Sequence, residues 1–193
     1  MAGCENGLVR SLEVRLPDWV AELLSGAERY PDDAARMGLA VALADRNVTE
    51  GGGPFGAAIF DHTSGRPVGV GMNLVLPAGN STLHAEMVAI MAAEAAVGSH
   101  TLAQAGRYEL FTSCAPCAMC LGGILWSGVE RLVCAADAED ARRIGFDEGP
   151  VFEESYRYLE ERGIEVVRGF MREAGRAVLE RYAALGGRIY NGR

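Results

Sequence analysis

Two short runs of residues in this chain have the types and spacing to bind a metal ion. His84-Ala85-Glu86 precedes an apolar run, and Cys117 and Cys120 stand further along in a Pro-Cys-x-x-Cys motif. Imidazole and thiolate are preferred ligands of zinc, and a structural zinc is normally closed by four protein ligands. One His and two Cys supply only three ligands. The count predicts one catalytic zinc ion per chain, with a position left for water.

The spacing of the two thiols also predicts where they lie. Residues three apart share one face of a helix, so Cys117 and Cys120 are expected to point the same way, and Pro116 suits the start of that helix. Free N–H groups and the helix dipole stabilise the thiolates that zinc requires. Glu86 is not needed as a ligand. Its carboxylate is predicted to move a proton between water and substrate beside the metal.

Two other interpretations of the thiols have to be kept beside this one. A redox pair would follow a thioredoxin-like strand and needs no His-x-Glu partner. A closed structural zinc site would need a fourth ligand, for which Cys114 and Cys134 are the candidates, although either is equally suited to be a small buried hydrophobe. Finding both motifs, each at the head of an apolar helix, favours the catalytic site.

Length and composition indicate the class of protein. With 193 residues, of which 49% are hydrophobic, the chain is predicted to be a single domain over residues 1–193, with N-terminal helices within 1–50 and a C-terminal tail at 186–193. No apolar run approaches membrane-spanning length and the N-terminus lacks a signal-peptide pattern, so we expect a cytoplasmic protein without a membrane partner. Five cysteines favour reduced thiols and a metal over a disulfide framework.

The charged residues exclude some kinds of chemistry. The sequence contains no lysine, which excludes Schiff-base catalysis on a lysine side chain. Its net charge of -8 and pI near 4.9 disfavour a nucleic-acid partner, because proteins that bind polyanions usually carry a basic stripe. A small neutral substrate fits this charge better.

Hydrophobic periodicity and turn residues predict alternating helices and strands. Helices are predicted over residues 16–30, 32–49, 84–97, 117–126, 152–162 and 172–185. Strands are predicted over residues 55–60, 67–71, 108–112, 130–136 and 164–168, the first two forming a hairpin. This order predicts an α/β sandwich whose mixed sheet opens with an antiparallel pair.

The chain resembles the cytidine deaminase superfamily, in which His-x-Glu and Pro-Cys-x-x-Cys build the zinc site. Within that superfamily it resembles the bacterial guanine deaminases. The resemblance covers roughly residues 52–150. It is carried by Gly-Gly-Pro-Phe-Gly-Ala-Ala-Ile at 52–59, Asn73, His84-Ala85-Glu86, residues 112–122, Trp126 and Gly145-Phe146-Asp147-Glu148. The last segment is similar to guanine deaminases in particular. The family implies a three-layer sandwich with a five-stranded sheet, a homodimer, and a C-terminal segment that closes over an active site, in some members the partner's.

The resemblance also implies roles for individual residues. His84, Cys117 and Cys120 would bind zinc, and Glu86 would be the proton shuttle. Further implied site residues are Asn73 as a hydrogen-bond partner of a purine, Phe55 and Trp126 as a frame for its ring, Glu148 as a second acid near the leaving amino group, and Ala85, Asp147 and Tyr190 as substrate contacts. Some guanine deaminases have Asp where this chain has Glu148.

Each of these roles has a structural alternative. Phe55 would also suit the sheet core, Trp126 the end of a helix, and Glu148 a solvated loop, while Asn73 could stabilise a turn through its side chain.

The expected reaction is hydrolysis of guanine to xanthine and ammonia. Guanosine, cytosine, cytidine, ammeline and the adenosine of a tRNA are alternative substrates for the same chemistry. A non-catalytic binding protein stabilised by zinc is the alternative outside the class. Glu86 argues against that one, because a structural zinc has no use for an acid beside an open coordination position.

Overall fold

A computed structural model of the chain describes residues 11–26 and 28–192. Its helices are α1 (Trp19–Leu24), α2 (Asp33–Thr49), α3 (Val75–Ala78), α4 (Ala85–Val97), α5 (Ala118–Ser127), α6 (Ala138–Arg143), α7 (Glu153–Glu161) and α8 (Arg172–Ala184). Its strands are β1 (Gly56–Asp61), β2 (Pro67–Met72), β3 (Tyr108–Cys114), β4 (Arg131–Ala136) and β5 (Glu165–Arg168). A 3₁₀ turn lies at Leu102–Gln104. The first ten residues of the predicted N-terminal segment, and Arg193 of the predicted tail, lie outside the described residues.

The five strands form one mixed sheet in the order β2-β1-β3-β4-β5. Strand β1 runs antiparallel to both β2 and β3, whereas β3, β4 and β5 are parallel to one another. The register pairs Gly56 with Met72 and Ala57 with Thr112. The end of β2, the start of β1 and the end of β3 therefore meet at one edge. The predicted mixed sheet and its opening hairpin are confirmed.

Helices cover both faces of this sheet, as a three-layer sandwich requires. Helices α4, α5 and α7 share a core with one face, through residues such as Ile59, Leu110 and Leu132. Helices α1, α2 and α8 pack on the other face, where Phe60, Phe111 and neighbouring side chains are fully buried. Alternate residues of each strand serve opposite layers, which is why the central strands β3 and β4 are buried along nearly their whole length.

Glycines in β2 let helix α4 lie close to the sheet. A Cβ atom at Gly71 would come within 2.1 Å of the Ala85 carbonyl oxygen, and one at Gly69 within 2.5 Å of the Ala89 carbonyl oxygen. Such contacts are too short for any side chain, so these positions need glycine. The close approach fixes the N-terminus of α4 at the edge of the sheet where β3 ends.

The first helix is shorter than predicted, and three short elements have no counterpart in the prediction. The expected helix over 16–30 is realised only as α1, because Ser25 leaves the helical region and Gly26 follows with φ of 123°. Helix α3, the 3₁₀ turn and α6 span four, three and six residues, too few for a periodic pattern. Among the described residues, no helix is both long and apolar enough to cross a membrane.

Candidate active site

The two predicted metal motifs stand at the N-termini of neighbouring helices. His84 is the N-cap residue of α4 and Cys117 is the N-cap residue of α5, both with extended backbone, while Cys120 lies in the first turn of α5. Helix α5 follows directly from the end of β3, and α4 follows the short helix after β2. The first N–H groups of each helix have no partner within that helix and, with the helix dipole, give this edge a positive potential that suits thiolates and carboxylates.

The three predicted ligands meet. One ligand atom each of His84, Cys117 and Cys120 lies within 4.8 Å of the others, and 3.5 Å separate the His84 Nδ1 atom from the Cys117 Sγ atom. In the described part of the chain no other His, Cys, Asp or Glu joins a group of this kind. The closed four-ligand site with Cys114 or Cys134 is therefore not formed. Both of these thiols are buried and free, and burial raises the pKa of each.

The electrostatics of the cluster fit a zinc ion. A hydrogen bond from Cys120 lowers the pKa of the Cys117 thiol to about 4, against the effect of burial, and His84 lowers it further. The same hydrogen bond and burial raise the pKa of Cys120, so zinc binding has to release that proton. Burial opposes a charge on His84, but the hydrogen bond and charge of Cys117 outweigh it and raise the pKa of the imidazole. Of the two thiols, Cys117 is therefore the one whose surroundings favour the thiolate form.

Glu86 lies beside these ligands in the first turn of α4. It is 6% exposed, and burial, followed by the negative charge of Cys117, raises the pKa of its carboxyl. The Thr112 hydroxyl on β3 lies 3.1 Å from its Oε1 atom. A raised pKa favours proton uptake compared with an exposed carboxyl, as a proton shuttle requires.

A cavity of about 230 Å³ opens in front of this cluster. It is lined by His84, Glu86 and Cys117 together with five of the residues that the family resemblance implied, namely Phe55, Asn73, Asp147, Glu148 and Tyr190. The structure therefore gathers both predicted acids and most of the predicted substrate contacts around one space.

Glu148 is a buried acid of this cavity and not a solvated loop charge. It is 6% exposed, and burial, then the charges of Cys117 and Glu86, raise the pKa of its carboxyl to about 8. Its carbonyl oxygen accepts a hydrogen bond of 3.0 Å from the Ala118 N–H group at the start of α5. The loop that carries Glu148 is thus fastened to the helix that carries the thiols.

Asn73 combines a structural role with a place in the cavity wall. Its N–H group donates to the Phe55 carbonyl oxygen at 3.0 Å, and its Oδ1 atom accepts from the Val75 N–H group at 3.2 Å. The buried Asn47 amide donates to the carbonyl oxygens of both Asn73 and Gly53. The turn-stabilising alternative is therefore present in the structure, and the side chain still lines the cavity.

An aromatic cluster forms the apolar side of the cavity. The Phe55 and Phe146 rings meet edge to face with centroids 5.0 Å apart, and the Tyr190 ring meets Phe146 in the same way at 4.9 Å. The Tyr182 ring of α8 stacks on Phe146 with centroids 6.0 Å apart. Such edge-to-face and stacked pairs favour particular ring orientations on this side of the cavity.

The C-terminal tail lies over the cavity of its own chain. The Asn191 side chain accepts from the Asp147 N–H group and donates to the Gly145 carbonyl oxygen, both at 2.9 Å. The Tyr182 hydroxyl donates to the Arg188 carbonyl oxygen at 2.6 Å. A Cβ atom at Gly53 would fall 1.9 Å from the Tyr190 hydroxyl oxygen, so Gly53 makes room for that side chain.

Two of the expected substrate contacts do not reach the cavity. Trp126 is 78% exposed at the end of α5 and does not line the cavity, so it does not frame a bound ring within this chain. Its position near the end of α5 carries it away from the first turn, where the ligands stand. The Ala85 side chain is fully buried in the core below β2 and is not part of the lining.

Four residues that shape the site were given no role by the sequence analysis. They come from four separate segments of the chain: Asn47 from helix α2, Ser81 from the loop before α4, Phe146 from the loop after α6, and Asn191 from the tail. The segment that contains Phe146 resembles guanine deaminases, but its sequence gives the ring no role. An Asn at helical spacing from Leu43 and Ala44, as at Asn47, is the one sequence signal among the four.

Comparisons with known proteins agree with this geometry. A sequence profile of the cytidine and deoxycytidylate deaminase zinc-binding region matches residues 31–136. The chain belongs to the cytidine and deoxycytidylate deaminase family. As a member it is a zinc-dependent hydrolytic deaminase, and the matched region contains all three zinc ligands and Glu86.

Individual members of the family are similar over much of the chain. A guanine deaminase of Bacillus subtilis is 40% identical over 126 residues, which cover 65% of this chain and 78% of that protein. The structure of a guanine deaminase from Nitrosomonas europaea superposes with a TM-score of 0.87 at 39% identity, over 92% of this chain and 98% of that one. A probable cytosine deaminase of Schizosaccharomyces pombe is 31% identical over 61% of this chain and 68% of that protein.

Proposed function

We propose that this deaminase hydrolyses guanine to xanthine and ammonia. The observation that carries the proposal is that two buried carboxyl groups, Glu86 and Glu148, line one small cavity beside the metal ligands. Guanine carries its amino group between two ring nitrogens. One acid can serve each side of that amidine edge, whereas a pyrimidine has less need of a second one.

The residues of the chain divide the work of the reaction. When bound, zinc supplies the Lewis acidity that activates a water molecule for attack. Glu86 takes up the proton of the attacking water and passes it to the ring nitrogen or the departing amine. Glu148 donates a hydrogen bond or proton from the other side, which its raised pKa favours. One water is consumed, the bond from carbon to the amino nitrogen breaks, and a carbonyl remains.

The cavity wall supports a flat base as the substrate. Phe55 offers an aromatic ring and the Asn73 side chain a polar group, and Tyr190 of the tail also lines the cavity. We infer that the exposed Asp147, at the rim, contacts the substrate or the tail that covers it. The volume of about 230 Å³ is below the roughly 300–1,000 Å³ typical of pockets for drug-sized ligands, which favours a free base over a nucleoside. The net charge of -8 disfavours a tRNA.

The relatives support the same substrate. The similar proteins of Bacillus subtilis and Nitrosomonas europaea are named guanine deaminases. Since the Schizosaccharomyces pombe relative is named a probable cytosine deaminase, cytosine is the alternative that the test has to include.

We further propose that the whole chain acts as one deaminase domain, that it works in the cytoplasm in purine catabolism, and that it forms a homodimer. Support for the dimer comes from an apolar stripe along one face of α5, where Met119, Gly122 and Trp126 follow helical spacing. Trp126 is largely exposed, and open space surrounds Gly122. A second copy of the chain would cover this stripe with its own.

Ammonia release from guanine, guanosine, cytosine, cytidine, adenine and ammeline tests the substrate. We expect the highest kcat/KM for guanine. Glu148→Gln should reduce it severely with zinc content unchanged, while Glu154→Gln, which changes an exposed acid of α7, should leave it as it was. A tenfold or larger preference for cytosine, cytidine or guanosine, equal to about 1.4 kcal/mol of transition-state binding, would overturn the guanine proposal.

A further inference from the structure

A buried hydroxyl on β3 stands between the proton shuttle and the end of the strand. Thr112 is 1% exposed, and its Oγ1 atom lies 3.1 Å from the Glu86 Oε1 atom and 2.9 Å from the Cys114 carbonyl oxygen. Thr112 is neither a metal ligand nor part of the cavity lining. It reaches the site only through Glu86.

The chemistry of a threonine side chain makes this contact directional. The hydroxyl carries a single proton, so it donates either to the Glu86 carboxylate or to the Cys114 carbonyl oxygen. When it donates to Cys114, its own oxygen can accept only from a protonated Glu86 carboxyl. Threonine is branched at Cβ, which restricts its χ1 angle, and in β3 its side chain is packed against the core. The Oγ1 atom is therefore held in place and can hold a flexible partner.

Glu86 needs such a partner more than most carboxylates do. A glutamate side chain has three torsion angles, and the last is a broad one that allows the carboxylate to rotate. Among the described residues, Thr112 is the one side chain outside the metal cluster that hydrogen-bonds it. Because Thr112 holds Oε1, Oε2 is the oxygen left for water and substrate.

We infer that Thr112 is a positioning residue, whose hydroxyl orients the Glu86 carboxylate for proton transfer. This inference rests on the proposed deaminase function. It predicts that removal of the hydroxyl slows turnover without weakening the binding of substrate or zinc, because neither contacts Thr112.

The neighbouring residue supplies a matched control. Ser113 is also 1% exposed on β3, but its Oγ atom accepts a hydrogen bond of 3.0 Å from the Gly56 N–H group of β1. Its hydroxyl joins two strands and does not touch Glu86. Ser113→Ala therefore measures what the loss of a buried hydroxyl from this strand costs in stability alone.

Kinetics of three variants test the inference in the zinc-loaded enzyme. Misplacement of a catalytic group by about 1 Å can cost roughly a hundredfold, so Thr112→Val is expected to lower kcat by at least about tenfold. KM for guanine should stay within about threefold, as expected when only transition-state interactions are lost. Thr112→Ser, which keeps the hydroxyl, should have a kcat close to that of the wild type. Ser113→Ala should also keep near-normal kcat, even if its unfolding temperature falls as far as that of Thr112→Val. Normal kcat in Thr112→Val, or an equal loss of kcat in Thr112→Val and Thr112→Ser, would overturn the inference.

A second measurement does not depend on activity. Crystal structures of the zinc-loaded wild type and Thr112→Val should show the Glu86 carboxylate rotated or spread over several orientations in the variant, with the metal ligands unmoved. An unchanged carboxylate would count against a positioning role. If the wild type releases ammonia from no compound in the panel, the proposed function fails, and this structural comparison still decides the role of Thr112.

Discussion

At the scale of single residues, the proposed site assigns metal binding and proton transfer to different side chains. His84, Cys117 and Cys120 gather around one point, and their count leaves a coordination position open. Glu86 and Glu148 stand beside them as buried acids with raised pKa values. The two roles can therefore be tested by different substitutions.

Substitution of either thiol should remove the metal. Cys117→Ser or Cys120→Ser replaces a soft thiolate by a hydroxyl, which binds zinc poorly, so we expect most of the zinc to be lost. Metal analysis of the purified variants measures this directly. Cys134→Ser, which changes a buried thiol outside the cluster, is the control and should keep its zinc. Stoichiometric zinc in both ligand variants would contradict the assigned site.

Substitution of the shuttle should leave the metal in place. Glu86→Gln retains the shape of the side chain but cannot take up a proton, so activity should fall by at least about a hundredfold, the low end for general acid–base catalysis. Zinc content and the circular dichroism spectrum should match the wild type. Near-normal turnover in this variant would show that another group moves the proton.

At the scale of elements, the site is built where helix N-termini meet loops. Helices α4 and α5 supply the ligands, the loop after α6 supplies Glu148, and the tail after α8 supplies Tyr190. Two contacts fasten these segments: Asn191 joins the tail to the loop after α6, and Arg172 of α8 joins Asp140 of α6.

Removal of the tail should damage catalysis without unfolding the protein. Deletion of the residues after Gly187 takes away Tyr190 and opens the cavity to bulk water, which weakens the electrostatic interactions of the site. We expect a folded, zinc-loaded protein with much poorer turnover of guanine. Asn191→Ala, which loses only the two hydrogen bonds of the tail, should show a smaller defect in the same direction. Unchanged kinetics after the deletion would exclude a covering role.

The ion pair between α6 and α8 should make stability depend on pH. Asp140 is buried and accepts from Arg172 at 2.8 and 3.0 Å, and these hydrogen bonds lower the pKa of its carboxyl. A carboxyl whose pKa is lower in the folded than in the unfolded state stabilises the fold at pH values above its unfolded pKa, near 3.9. This stabilisation is lost as the pH falls through the folded pKa.

We therefore expect Asp140→Asn to lower the unfolding temperature at pH 7 by about 2–4 °C, the shift for roughly 1 kcal/mol in a chain of this size. The difference from the wild type should shrink towards pH 3. Thermal unfolding of both proteins at a series of pH values measures it. The control variant is Glu139→Gln, at an exposed acid of the same helix. Its unfolding temperature should stay close to that of the wild type at every pH. If the difference in unfolding temperature between Asp140→Asn and the wild type stays constant down to pH 3, the ion pair is not its cause.

At the scale of the whole molecule, the sheet brings distant parts of the chain to one edge. The end of β2 and the end of β3 are neighbours of β1, so the motifs that follow them meet although many residues separate them. On the outer side of the same helices lies the apolar stripe of α5, with Met119, Gly122 and Trp126.

A charge on this stripe should separate the proposed dimer. Trp126→Asp would place a carboxylate in the contact, where it has no partner, so sedimentation is expected to show a monomer. Leu12→Asp, at an exposed apolar residue before α1, should stay dimeric like the wild type. A monomeric wild-type protein, or a Trp126→Asp variant that remains fully dimeric, would contradict the assignment of this interface.

The sequence alone determined the chemistry and most of the fold. Ligand type, count and spacing are local properties, so residue types and spacing along the chain are enough to predict a metal site at His84, Cys117 and Cys120 with Glu86 beside it. Long elements with strong periodicity, such as α2, α4 and β3, are predicted to within a few residues for the same reason. Short elements such as α3 and α6 escape prediction, because so few residues carry no periodic signal.

Only the tertiary structure decided what surrounds the metal cluster. Whether Glu148 is buried, whether Trp126 reaches the cavity and where the tail lies depend on contacts between residues far apart in the chain, which no local pattern encodes. The raised pKa of Glu148 follows from its burial beside Cys117 and Glu86, and the contact between Thr112 and Glu86 follows from the packing of α4 on β3. Spacing along the chain specifies a metal site, and packing in three dimensions sets the electrostatics and shape of the pocket around it.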